Sequence, residues 1–141
     1  MPDFTRKTAG HWLALLASAS LCASANAHEL EIHGSNTVGA TLAPMLVSGY
    51  LAQQGNGSVS RRATGTENEQ ILLTETEQGP ISVLVAAHGS STGFRTLASG
   101  QAQIWASSRP VKAAEAEQVR QQADLTALES EHVIAIDGLA V

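Results

Sequence analysis

The sequence predicts an α/β fold built on a mostly parallel sheet. Three observations carry that expectation. An apolar run, Ile81-Ser82-Val83-Leu84-Val85-Ala86-Ala87, passes through the small polar loop His88-Gly89-Ser90-Ser91-Thr92 into Phe94–Ser99, a helical stretch that Gly100 stops. The same frame occurs earlier, where His33-Gly34-Ser35-Asn36-Thr37 follows an apolar alternation and precedes a helix. A third run, Ile104-Trp105-Ala106, ends in the turn Ser107-Ser108-Arg109-Pro110. In a parallel sheet such loops gather on one edge, where α/β folds bind ligands. Hydroxyls, helix N-termini and unpaired amides on that edge favour an anion. The expected ligand is a small oxyanion.

The chain of 141 residues holds one domain at most, and its beginning has the pattern of an export signal. Arg6 and Lys7 form a positive n-region. Trp12 to Leu21 is an apolar stretch too short to span a bilayer. Ala25-Asn26-Ala27 fits the small-x-small cleavage rule. Residues 1–27 are therefore expected to be a signal peptide, the competing reading being an N-terminal anchor helix. The mature chain would start at His28 in the periplasm, with no stable membrane span after cleavage. Lipoprotein processing is excluded, because Leu21 precedes Cys22 and Ala19 stands three positions before it.

Cys22 is the only cysteine and leaves with that segment, so the mature chain has neither disulfide nor thiolate chemistry. Removing Asp3, Arg6 and Lys7 takes 8 basic and 13 acidic side chains to 6 and 12, a net charge of −6. That balance argues against nucleic acid and against an anionic membrane surface. It also requires that any anion be attracted by groups local to the site. Aromatics make up 4% of the chain, too few to suggest the stacking platform a sugar site uses.

Taken in order, Leu30 and Ile32 alternate with Glu29, Glu31 and His33 as a first strand. A helix should run from about Thr41 to Gln53, with Pro44 in its first turn. Leu42, Met45, Leu46 and Tyr50 at 3–4 spacing mark its expected buried face. Gly55-Asn56-Gly57-Ser58 is a turn. Val59 to Thr64 reads as a second strand, with Arg61 and Arg62 as surface charge. Ile71–Leu73 and Ile81–Ala87 read as a strand pair broken at Gly79-Pro80, with Glu67, Glu69, Glu75 and Glu77 as a solvated rim. No two carboxylates and a histidine share a tight ligand spacing, so no metal is expected, and no other cofactor. Ala102–Ala106 reads as a short buried strand. Ala113 to about Ala123 reads as a helix with Glu115, Glu117 and Arg120 outward, and Asp124–Ser130 as a loop. His132–Val141 reads as an apolar strand running into the chain end, which suggests a fragment.

These residues together resemble the phosphate-binding proteins of ABC transporters, within the type II periplasmic substrate-binding family. The resemblance rests on four motifs in order: Gly34-Ser35-Asn36-Thr37, Gly89-Ser90-Ser91-Thr92-Gly93, Gly100-Gln101-Ala102-Gln103-Ile104 and Ala106-Ser107-Ser108-Arg109-Pro110. It implies that residues 28–141 form the first lobe of a three-layer substrate-binding domain, incomplete at the C-terminus, with Ile136–Val141 crossing toward a second lobe. It implies a periplasmic binder of inorganic phosphate or a similar oxyanion, with an ABC permease as partner and no enzymatic activity. Thr37 resembles the first-loop hydroxyl donor, beside Ser35 and the amides of Asn36 and Thr37. Ser90 matches the second-loop serine, backed by the amides of Ser91 and Thr92. Ser108 stands where such binders often carry an Asp that accepts a proton from phosphate and repels an unprotonated anion. Ser108 cannot apply that charge test, and Arg109 could offer a positive fork instead.

Two other classes compete. Gly89-Ser90-Ser91-Thr92-Gly93 also fits the G-x-S-x-G nucleophile elbow between strand and helix, with Asp124 and His132 following in hydrolase order. Against a serine hydrolase using Ser91 stand the short chain and the lack of an oxyanion-loop glycine run. An envelope protein could reuse the same lobe without transport. Gly34 to Gly39 is no Walker motif, since the Lys-Ser/Thr ending is missing. His33 and His88 occupy matching positions before their glycines; each reads as a strand end packed on its loop, or as added positive charge at low pH.

Overall fold

The computed structural model describes residues 30–136. The expected signal segment at 1–27, the expected start at His28 and the last part of the apolar run, 137–141, lie outside the described residues. Five strands, β1 (Leu30–Gly34), β2 (Ser60–Ala63), β3 (Glu69–Thr76), β4 (Gly79–Ala86) and β5 (Ile104–Ala106), form one sheet in the order β2-β3-β4-β1-β5. Three helices accompany it: α1 (Ala43–Gln54), α2 (Ser90–Ala98) and α3 (Ala113–Val119). The α/β class is as the sequence indicates, but the sheet is mixed rather than mostly parallel. β4, β1 and β5 run parallel, while β2, β3 and β4 run antiparallel. The reason is local. Only Glu77 and Gln78 separate β3 from β4, and a two-residue link can join only antiparallel strands. Gly79, at φ 120°, supplies the backbone conformation that closes this hairpin. Gly79 and Pro80 therefore open β4 instead of breaking the pair.

The strand alternation assigns the two faces. Leu30 and Ile32 lie level with Val83 and Val85, and these join Leu72 and the α1 residues Ala43 and Leu51 in one core. His33 and Trp105 lie level with each other on the opposite face, where the Trp105 ring meets Phe94 of α2 edge-on at 5.6 Å. Helices thus cover both faces, and Ile71 and Leu72, consecutive in β3, are both buried.

Four expectations need correction. The buried stripe of α1 is Ala43, Val47 and Leu51, not Leu42, Met45, Leu46 and Tyr50; Met45 and Tyr50 are 60% and 59% exposed. A π-helical turn over Val38–Leu42 precedes α1, with the Ala43 amide bonded to Val38. The wider turn changes the phase of the helix, and small Ala43 and buried Pro44 bring its first turn against the sheet. β5 is an edge strand with Ile104 exposed, not a buried one, because among the described residues β1 alone pairs with it. α3 ends at Val119, its single buried residue, since the polar run Arg120-Gln121-Gln122 offers nothing to pack. Glu131–Ile136 is not a strand: no ladder partner among the described residues meets it, and Val133 and Ile136 are exposed.

Candidate functional site

The parallel trio β4, β1 and β5 sends three loops to one edge of the sheet, and backbone bonds tie them together. The Ser35 amide donates to the Ala106 carbonyl at 2.7 Å, joining the first loop to the third. The Gly89 amide donates to the Gly34 carbonyl at 2.7 Å, joining the second to the first. Two motif glycines make this closeness possible. A Cβ on Gly34 would overlap the Ala106 carbonyl, and one on Gly93 would sit 2.6 Å from the His33 carbonyl oxygen. The first turn of α2 therefore rests directly on the end of β1.

Side chains of the second and third loops then meet. The Ser90 and Ser108 hydroxyls are 3.3 Å apart, and the Ser108 amide donates to the Ser90 hydroxyl at 3.3 Å. The Trp105 indole N–H donates to the Ser90 carbonyl at 2.7 Å. Arg109 Nη2 lies 3.4 Å from the Ser91 hydroxyl. Gly89, at φ 99°, turns the chain into α2, whose start leaves the Ser90 and Ser91 amides without an intrahelical partner. Those amides and the helix dipole put partial positive charge beside the two hydroxyls.

The first loop carries Ser35, Asn36 and Thr37 to the same edge. Ser35 is buried, and its hydroxyl accepts from the Thr37 amide at 3.1 Å, so it shapes the turn. Asn36 and Thr37 are exposed at the same edge, but no hydrogen bond joins the Thr37 hydroxyl to Ser90 or Ser108. The Thr92 hydroxyl accepts from Arg95 at 3.1 Å, so it braces α2.

Arg109 does not present a free fork. Its Nη1 and Nη2 donate to the two carboxylate oxygens of Glu115 at 2.9 and 2.6 Å, and its guanidinium carbon lies 5.5 Å from the Trp105 ring centroid. Those bonds hold the Glu115 carboxyl at about 2, well below its ordinary 4.5, against the opposing effect of burial. Glu115 was expected outward on α3. Its partner lies six residues back across the Pro110 turn, a separation that helical spacing does not flag. Trp105, within the strand expected to be buried, is half-buried and contacts both loops.

The histidines are engaged at strand ends. Buried His33 lies 3.1 Å from the Glu31 carboxylate. His88 contacts the Glu67 carbonyl at 3.1 Å and Glu69 at 3.6 Å. The hydrolase constellation does not assemble among the described residues: the Ser91 hydroxyl contacts Arg109, while Asp124 bonds Thr126 and His132 is exposed. A triad needs its base within hydrogen-bond reach of the nucleophile. No three His, Cys, Asp or Glu side chains among the described residues group as a metal site would require. No helix among them is long and apolar enough to cross a membrane. A shallow depression lined by Asn56, Ser58, Ser60 and Thr74 lies toward the opposite end of the sheet from these loops.

No protein-family model matches the chain, and neither a curated protein nor a solved structure is significantly similar to it.

Proposed function

We propose that this chain is the first lobe of an exported solute-binding protein. It holds a small oxyanion, inorganic phosphate foremost, on the loops that follow β1, β4 and β5, and delivers it to an ABC permease. The observation that carries the reading is the meeting of Ser90 and Ser108, whose hydroxyls lie 3.3 Å apart beside the first amides of α2. Two adjacent hydroxyls and two unpaired amides offer hydrogen bonds to neighbouring oxygens of one tetrahedral anion. The donors are neutral, so the local hydrogen bonds and the N-terminus of α2 must hold the anion against the long-range repulsion of a chain whose net charge is −5. Arg109, committed to Glu115, supports the loops and is not assigned as a ligand.

The test is a titration of isotope-labelled chain with phosphate, followed at the Ser90, Ser91 and Ser108 amides. The three signals should move together with one affinity. Ser90→Ala removes a donor to a charged ligand and should weaken binding by about 1.5–3 kcal/mol, roughly 10- to 150-fold. Silent signals at saturating phosphate, or shifts confined to Arg61 and Arg62, would defeat the reading.

A further inference from the structure

The geometry points to Glu115 as the positioning residue of the loop cluster, acting through Arg109 and Trp105. The inference takes its ligand from the oxyanion reading above, while its mechanics rest on the structure alone. Glu115 lies outside all three loops, on α3, yet a continuous set of contacts runs from its carboxylate to both serines. Its two oxygens grip both terminal nitrogens of Arg109, at 2.9 and 2.6 Å. The guanidinium, so oriented, lies against the Trp105 ring at 5.5 Å and reaches the Ser91 hydroxyl at 3.4 Å. Trp105 rests edge-on against Phe94 at 5.6 Å and directs its indole N–H to the Ser90 carbonyl at 2.7 Å. Arg109 directly follows Ser108, so fixing its side chain also fixes the backbone that carries the Ser108 hydroxyl.

The carboxylate is itself oriented. The Lys112 amide donates to Glu115 Oε2 at 3.0 Å, which fixes the side chain over the first turn of α3. The Glu115 and Arg109 side chains are 12% and 26% exposed. Glu117 on the same helix and Arg120 just past its end pair at 3.3 Å with 71% and 75% exposure, an ordinary solvated contact. A bidentate, partly buried pair fixes the direction of both groups, which a point contact in water cannot do. Because both terminal nitrogens of the fork face Glu115, an anion could bind Arg109 end-on only by displacing that carboxylate. The positioning role and an end-on ligand role therefore predict opposite signs for the same substitution.

The experiment compares the full chain with Glu115→Gln, following the Trp105 indole N–H and Ser90 amide signals, the thermal midpoint and phosphate affinity. Trp105→Phe assigns the indole signal, keeps the contact with Phe94 and removes the bond to Ser90. Positioning predicts that Glu115→Gln moves the indole and Ser90 signals before any ligand is added. It also predicts a roughly tenfold loss of phosphate affinity, the size of one charged hydrogen bond. Combining Glu115→Gln with Arg109→Gln should cost no more than the worse single change, because both act through one path. A gain in phosphate affinity in Glu115→Gln would overturn the proposal, since Arg109 would then be a ligand that Glu115 withholds. A lower melting temperature with unmoved indole and Ser90 signals would also overturn it, leaving Glu115 a purely stabilising role. If wild type ignores phosphate, the oxyanion reading fails by itself, and the unliganded signals alone then decide the positioning claim.

Discussion

Replacing Gly93 by Ala tests whether helix-on-strand contact builds the loop cluster. Alanine favours a helix over glycine by about 1 kcal/mol, so propensity alone predicts a more stable chain. The contact predicts the reverse. The new Cβ would sit 2.6 Å from the His33 carbonyl oxygen and 2.8 Å from the Gly34 nitrogen. Both are backbone atoms of β1, locked in the middle of the sheet, so α2 itself must move. Overpacking of this kind costs about 1–3 kcal/mol, and rigid neighbours place it near the upper end. The net loss is then about 2 kcal/mol, which for a domain of this size lowers the melting temperature by roughly 7–9 °C. Gly49→Ala is the matched control. It also lies inside a helix, α1, and its Cβ would meet nothing within 4 Å. Propensity acts alone there, and the midpoint should rise by roughly 3–4 °C. Thermal melts followed by circular dichroism, checked by calorimetry, give both values. If Gly93→Ala stabilises the chain as Gly49→Ala does, the close approach of α2 to β1 is wrong, and the loop geometry falls with it.

Other outcomes follow from the same structure. The Glu115 carboxyl is held at about 2 against an ordinary 4.5, so its contribution to stability is complete above about pH 4.5 and fades as the pH falls toward 2. Stability measured from pH 7 to pH 2.5 should fall less steeply in Glu115→Gln than in wild type, and identical curves would contradict the pairing with Arg109. Val133 and Ile136 are 73% and 93% exposed, so the chain should self-associate with rising concentration in sedimentation runs. Val133→Lys with Ile136→Lys should abolish that association. Protein recovered from the periplasm should have the intact mass of a chain beginning at His28, and retention of Met1 would rule out the signal reading. Ser108 repels no anion, so phosphate and sulfate should bind alike in paired titrations, and Ser108→Asp should weaken sulfate more than phosphate.

Much of this architecture was legible because loop chemistry is local. Strand, small polar loop and helix follow one another in a few residues around Ser90, and the glycines that permit close contact lie within the motifs themselves. The hairpin of β3 and β4 was legible too, but its consequence was missed: a link of two residues forces the antiparallel half of the sheet. α1 misled for a physical reason. Leu42-Leu46-Tyr50 and Ala43-Val47-Leu51 are parallel apolar stripes one residue apart, and the first carries the larger side chains. The π-helical turn before Ala43 and the tight fit of Ala43 and Pro44 select the second. At the site, Ser90 and Ser108 could be inferred to share one edge of the sheet because each follows the end of a parallel strand. The hold of Glu115 on Arg109 could not, since it depends on how the Pro110 turn brings α3 back toward the Arg109 side chain.

The central claim is that these loops form one anion site, and a crystal structure of the chain grown with phosphate tests it most directly. The account predicts a tetrahedral anion within hydrogen-bond distance of the Ser90 and Ser91 amides and the Ser90 and Ser108 hydroxyls, with Arg109 still on Glu115. Phosphate held instead by Arg61 and Arg62, or loops left empty at saturating phosphate, would contradict it.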